Sequence, residues 1–181
     1  MTALLVTREG AYPYLIPEDR LLSQACRMEA YQASGPGGQK RNRTYSAVRL
    51  THSLTGISVI AEEGRSQHEN RARALNRLRT ALALRVRRHR DSDAAIIPEP
   101  VRAYFRQDSP LQVNRKNPLY PLVCATILDA LYCREGSIGE ASRMLGLSTG
   151  RLGRFLGRDN DLLHAANELR AHFGRKPLKK G

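Results

Sequence analysis

The stretch Gln32-Ala-Ser-Gly-Pro-Gly-Gly-Gln-Lys-Arg-Asn-Arg-Thr44 sets the tightest limit on how this chain folds. Three glycines and a proline lead into the amide side chain of Gln39, and basic residues follow at once. Glycine loses the most backbone freedom on ordering, and proline lacks a backbone donor, so no helix or sheet interior accommodates the run. Residues 32–44 are therefore a connection, and the segments on either side belong to separate elements. The same composition suits a loop whose backbone comes very close to something anionic, because glycine presents its N–H with no side chain in the way.

The flanks supply those elements. Ile16-Pro-Glu-Asp-Arg20 reads as a helix start with Pro17 in the first turn, the helix ending near Ser23. Arg27 to Ala33 reads as extended. Tyr45 to His52 alternates as a strand does, with Ala47 and Val48 breaking the strict period. Ser53-Leu-Thr-Gly56 is a turn and Ile57 to Ala61 the return strand of a hairpin. Ser66 stands three residues before Glu69, a capping box that opens a long helix reaching about Arg90. Leu75, Leu78, Leu82 and Val86 form its apolar stripe, and Arg71, Arg73, Arg77, Arg79, Arg85, Arg87, Arg88 and Arg90 cover the rest. Those arginines are either a solvated face or a face against RNA.

Beyond them, Asp91 to Pro121 carries Pro98, Pro100, Pro110, Pro118 and Pro121 and reads as a linker, with Tyr104 and Phe105 placed to dock a short helix. A second, all-helical unit starts at Leu122. Within it, residues 136–157 have a helix-turn-helix rhythm. Ser137 caps one helix, Gly146 ends it in a left-handed conformation, Leu147 plugs the turn and Ser148 caps the next. Leu152, Phe155 and Leu156 are the inner face, and Arg151, Arg154 and Arg158 the outer. A last helix runs from Asp161 to Phe173, before a short basic tail. The expected fold is α+β: a small antiparallel sheet with packing helices over residues 1–90, a linker over 91–121 and a helix-turn-helix-like unit over 122–181.

Charge narrows the partner. The chain of 181 residues has 30 Lys plus Arg against 17 Asp plus Glu, a formal charge of +13. That balance points to a polyanion. Only Lys40, Lys116, Lys176, Lys179 and Lys180 are lysines; the arginine bias suits phosphate and base contact, and a GC-rich genome produces the same bias. Cys26, Cys124 and Cys133 form no C-x-x-C pair and read as reduced thiols. His52, His68, His89, His164 and His172 lack metal-ligand spacing, so no metal or cofactor is expected. His52 and His68 read as surface or structural residues. The first residues meet charge too soon for a signal peptide, and no apolar run approaches the ~20 residues of a membrane span. The expectation is a soluble, cytoplasmic monomer with no membrane partner.

Ala33-Ser-Gly-Pro-Gly-Gly-Gln39, Asn42, Ser46 to His52, Thr55-Gly-Ile57, Arg65-Ser-Gln67 and Asn70-Arg71 form an ordered string of motifs. The string resembles the catalytic domain of bacterial-type class I peptide chain release factors, over roughly residues 14 to 90. The resemblance implies hydrolysis of the peptidyl-tRNA ester in the ribosomal P site. It implies that the backbone N–H of Gln39 stabilises the oxyanion and that the Gln39 side chain shapes a pocket admitting water. Gly37 and Gly38 let the backbone reach the terminal ribose. Gln39 is then also the target of a glutamine methyltransferase. Ser34, Lys40, Arg41, Asn42, Arg43, Arg65 and Arg71 are the expected contacts to large-subunit rRNA. The family usually carries a small apolar residue where Arg41 stands.

Fewer than about twenty residues precede the matching segment, too few for a codon-reading domain. The chain thus resembles the short, codon-independent members of the group, which rescue stalled ribosomes. Glu140-Ala-Ser-Arg-Met-Leu-Gly-Leu-Ser148 resembles the helix-turn-helix of Fis-type DNA-binding proteins. A plain helical bundle used for packing is the other reading of that unit. Two alternatives for the chain remain open: a non-catalytic ribosome or RNA binder, and a DNA-binding regulator acting through residues 136–158.

Overall fold

The structure is a computed structural model that describes residues 5–31, 46–88, 97–106 and 111–180. The fold is α+β. It divides into two compact units, one of residues 18–82 and one combining Met1–Pro17 with Ala83–Gly181.

The first unit opens with helix α2 (Asp19–Gln24), whose acidic first residue suits the positive helix N-terminus. Strands β2 (Cys26–Tyr31), β3 (Ala47–His52) and β4 (Ser58–Ala61) come next as an antiparallel sheet in the order β2-β3-β4. Register is set by burial: Val48 and Leu50 are inside while Arg49 between them is exposed, so a one-residue slip would bury a charge. Ala47 is buried as well, which is the break in period visible in the sequence. The β3–β4 turn closes with the Gly56 N–H bonded to the His52 carbonyl at 2.9 Å. Helix α3 (Gln67–Arg85) then begins at Ser66, whose Oγ accepts the Glu69 N–H at 3.2 Å. Leu75, Leu78 and Leu82 are buried as the stripe requires.

Two features of α3 depart from the sequence expectation. The helix stops at Arg85 rather than near Arg90, and residues 86–88 become strand β5 (Val86–Arg88). They pair in parallel with β1 (Leu5–Thr7), an N-terminal strand far away in sequence. The arginines are also not all on a surface. Arg79 is 5 % exposed and bonds Asp19 at 2.5 Å and Asn76 at 3.1 Å. Arg87 is fully buried, its Nη1 bonding Asp129 at 3.0 Å and its Nη2 the Ala83 carbonyl. Local composition cannot reveal either burial, because each depends on a distant carboxylate.

The second unit is built on α4 (Tyr120–Cys133), in which every residue from Tyr120 to Leu131 is buried. A helix apolar all round needs neighbours on every side. They are α1 (Tyr12–Leu15), β5, a 3₁₀ helix (Glu99–Phe105), α5 (Ile138–Met144) and α7 (Asn160–His172). The 3₁₀ helix docks through Val101 and Phe105, both buried, while the Tyr104 hydroxyl accepts a bond from Asn117. Between α5 and α6 (Thr149–Gly157), Gly146 takes φ +68° and closes a Schellman turn. The Leu147 N–H reaches the Ser142 carbonyl at 2.8 Å and the Gly146 N–H the Arg143 carbonyl at 3.1 Å. Ser137 and Ser148 cap α5 and α6 through their side chains, and Leu152, Phe155 and Leu156 face inward. The helix-turn-helix reading of the backbone therefore holds. Among the described residues no helix is long and apolar enough to cross a membrane.

Candidate functional site

Tyr31 and Ala47 are cross-strand partners at the last rung of the β2–β3 ladder. Residues 32–45 connect these two partners and lie outside the described residues. That segment holds Gly37, Gly38 and Gln39, together with Ser34, Lys40, Arg41, Asn42 and Arg43. Arg65 and Arg71 are described, and both are exposed at the start of α3. Arg71 donates to the Ser23 Oγ at 2.6 Å, which ties α3 to the end of α2.

The structure shows how the exit of the 32–45 segment is anchored. Asn70, in the first turns of α3, is fully buried. Its Nδ2 donates to the Ser46 carbonyl at 2.7 Å and to the Gly64 carbonyl at 3.1 Å. Its Oδ1 accepts the Gly64 N–H at 2.7 Å. One amide thus satisfies three backbone groups and joins the start of β3, the turn before α3 and α3 itself. Gly64 is part of the arrangement: a Cβ there would stand 2.6 Å from Asn70 Oδ1 and 2.9 Å from Glu69 Oε2. No larger residue fits without expelling Asn70. Sequence reading places Asn70 within the motif string but assigns it no role, and it passes over Gly64. A polar residue in a first helical turn ordinarily reads as surface. Arg77 adds a second clamp, donating to the Ile60 carbonyl of β4 and pairing with Glu63.

Asn70→Ala is expected to destabilise the protein by about 2–4 kcal/mol, since it strands buried backbone groups that water cannot reach. Gly64→Ala should lose a similar amount by displacing the same amide. Chemical denaturation of both variants checks this, and parent-like midpoints would show that Asn70 is not the anchor.

The electrostatics around the β2–β3 edge are mixed. Glu29 lies between Arg27 at 3.1 Å and Arg49 at 3.4 Å, and the Arg49 guanidinium sits 5.4 Å from the Tyr31 ring centroid. These pairs are solvent-exposed and contribute little to stability. His52 is buried, with Nδ1 2.9 Å from Thr55 Oγ1, and burial lowers its pKa. It is a neutral structural residue of the hairpin, in line with the sequence reading; His68 is exposed. Among the described residues no group of three or more His, Cys, Asp or Glu side chains could hold a metal ion.

Residues 19–103 match the family model of the RF-1 domain. Over 77 residues the chain is 48 % identical to peptide chain release factor 2 of Paramagnetospirillum magneticum, a match covering 40 % of this chain and 21 % of that protein. It is 45 % identical over 76 residues to peptide chain release factor 1 of Rickettsia bellii, covering 42 % and 21 %. It is 55 % identical over 56 residues to peptide chain release factor 1 of Wolbachia pipientis, covering 31 % and 15 %. The chain thus spans about a fifth of the length of the first two of these curated release factors.

Proposed function

We propose that this chain, whose residues 19–103 match the RF-1 domain, is a class I release-factor-type catalyst that hydrolyses peptidyl-tRNA on stalled ribosomes without reading a codon. The observation that carries the reading is the match over residues 19–103, which includes the Gly37-Gly38-Gln39 segment between paired strands β2 and β3. Water adds to the ester carbonyl carbon, and the tetrahedral oxyanion that forms is met by the backbone N–H of Gln39. One such preorganised donor lowers the barrier by about 3–4 kcal/mol. Collapse breaks the bond to the ribose oxygen, which leaves as the hydroxyl of free tRNA, and the peptide departs as a carboxylate. The Gln39 side chain positions the water, and Gly37 and Gly38 keep the approach to the ribose clear. Ser34, Lys40, Arg41, Asn42, Arg43, Arg65 and Arg71 meet large-subunit rRNA. A glutamine methyltransferase modifies Gln39, and the protein works in the cytoplasm as a monomer.

The unit C-terminal to the catalytic domain supports codon independence. It is a helical module in which α6 offers glycine and arginine, a surface able to meet a phosphate backbone. Peptide release from ribosomes stalled on truncated, intact non-stop and stop-codon messages tests both halves. Release of comparable rate on all three is expected. Release confined to the stop-codon complex would overturn codon independence, and no release on any would overturn the catalytic assignment. The second reading, a DNA-binding regulator, is favoured by the α5–α6 turn geometry alone.

A further inference from the structure

Within the helical unit, an open cleft of about 470 Å³ lies beside the end of α6. That volume falls in the range of small-molecule sites and has room for one nucleotide. Val113 and Phe155 supply apolar wall, Gln112 and Asn114 supply amides, and Arg115 and Arg158 supply charge. The carboxylate at the cleft, Asp159, is fully engaged. Its Oδ1 caps α7 through the Asp161 and Leu162 N–H groups at 2.9 and 3.2 Å. Its Oδ2 accepts the Tyr120 hydroxyl at 2.5 Å and pairs with Arg115 Nε at 3.1 Å. Arg115 also bonds Asp161 at 2.5 Å. Arg158 is exposed and, among the described residues, pairs with no carboxylate. Arg115 is thus taken up by two carboxylates, and Arg158 is the cation at the cleft placed to meet an anion.

Arg158 continues the cleft onto the outer face of α6. Positions three and four apart share a helix face, which places Gly150, Gly153, Arg154, Gly157 and Arg158 together. No acidic residue occurs between Ser148 and Arg158. The fold does not require Gly150 or Gly153: a Cβ on Gly153 would meet nothing within 4 Å, and one on Gly150 only the Arg154 Nη1 at 3.7 Å. Glycine disfavours a helix relative to alanine, so this face is flatter and less stable than it needs to be. A polyanionic backbone lying between Arg154 and Arg158 would use both the charge and the low relief.

We propose that the cleft and the α6 face together bind folded RNA at an unpaired nucleotide. The cleft takes the unstacked base, with Gln112 at its edge, and Arg154 and Arg158 take the flanking phosphates. RNA is favoured over DNA because folded RNA presents bulged and looped nucleotides, while duplex DNA keeps its bases stacked. This site stands apart from the ester chemistry. Its test uses RNA without ribosomes, so its failure leaves the release reading untouched.

Fluorescence anisotropy on the full chain decides it, with three probes: an RNA hairpin carrying a one-nucleotide bulge, the same hairpin fully paired, and a DNA duplex of matching sequence. The bulged RNA should bind about tenfold tighter than either control. Arg154→Glu with Arg158→Glu should weaken bulged-RNA binding by about tenfold or more and flatten its salt dependence by about two phosphate contacts. Gln112→Ala should erase the preference for the bulge and leave paired-RNA affinity unchanged. These are surface changes, and an unaltered thermal melt confirms that the variants fold. Equal affinity for bulged and paired RNA, tighter binding to the DNA duplex, or charge reversal without effect would each overturn the proposal.

Discussion

Gln39→Pro is expected to slow peptide release from stalled ribosomes about 10²–10³-fold, the usual consequence of removing one oxyanion donor. Proline has no backbone N–H, so the substitution deletes the group assigned to the oxyanion. Gln39→Ala is the matching variant. It keeps the N–H and removes only the amide side chain, so any loss it shows is that of water placement. The two variants separate roles that a single substitution would merge. Single-turnover release with saturating protein isolates the chemical step, and ribosome pelleting checks that binding persists. The rRNA contacts proposed for this chain are distributed over Ser34, Lys40, Arg41, Asn42, Arg43, Arg65 and Arg71, so on that reading occupancy should change little with Gln39. Release by Gln39→Pro at the parental rate would remove the backbone donor from the mechanism, whatever the alanine variant did.

The parts of this fold that sequence reading anticipates are those decided locally. The β3–β4 hairpin arises from alternation and a glycine turn, the start of α3 from Ser66, and the α5–α6 turn from Ser137, Gly146 and Ser148. The parts that escape it are decided at a distance. Val86-Arg87-Arg88 has the composition of the helix before it and becomes strand only because Leu5–Thr7 lies alongside. Arg79 and Arg87 resemble their exposed neighbours until Asp19 and Asp129 are placed beside them. At the candidate site the division is the same. The Gly-Gly-Gln segment declares itself by composition. Its anchor does not: Asn70 owes its importance to Ser46, twenty-four residues earlier, and to a turn glycine that only the packing shows to be irreplaceable.

The Arg87–Asp129 pair provides the largest expected effect on stability. Asp129 sits in the middle of α4, and its Oδ1 accepts both Arg87 Nη1 at 3.0 Å and the Arg88 N–H at 3.2 Å. It thereby joins the central helix of the second unit to β5. Burial pushes the Asp129 carboxyl upward while Arg87 pulls it down, and burial likewise lowers the Arg87 pKa, so both charges carry a desolvation cost. Asp129→Ala removes the compensation and leaves a guanidinium with no access to water. A loss of about 3–5 kcal/mol is expected, enough to unfold a marginal unit. Replacing both members by leucine should recover most of it, because well-packed apolar groups often equal or exceed a buried ion pair. Urea denaturation followed by far-UV circular dichroism reads the difference in a unit made largely of helix. Should Asp129→Ala unfold within about 1 kcal/mol of the parent, Arg87 must have found another partner; should the double variant be as unstable as the single one, shape rather than charge is what Asp129 contributes between α4 and β5.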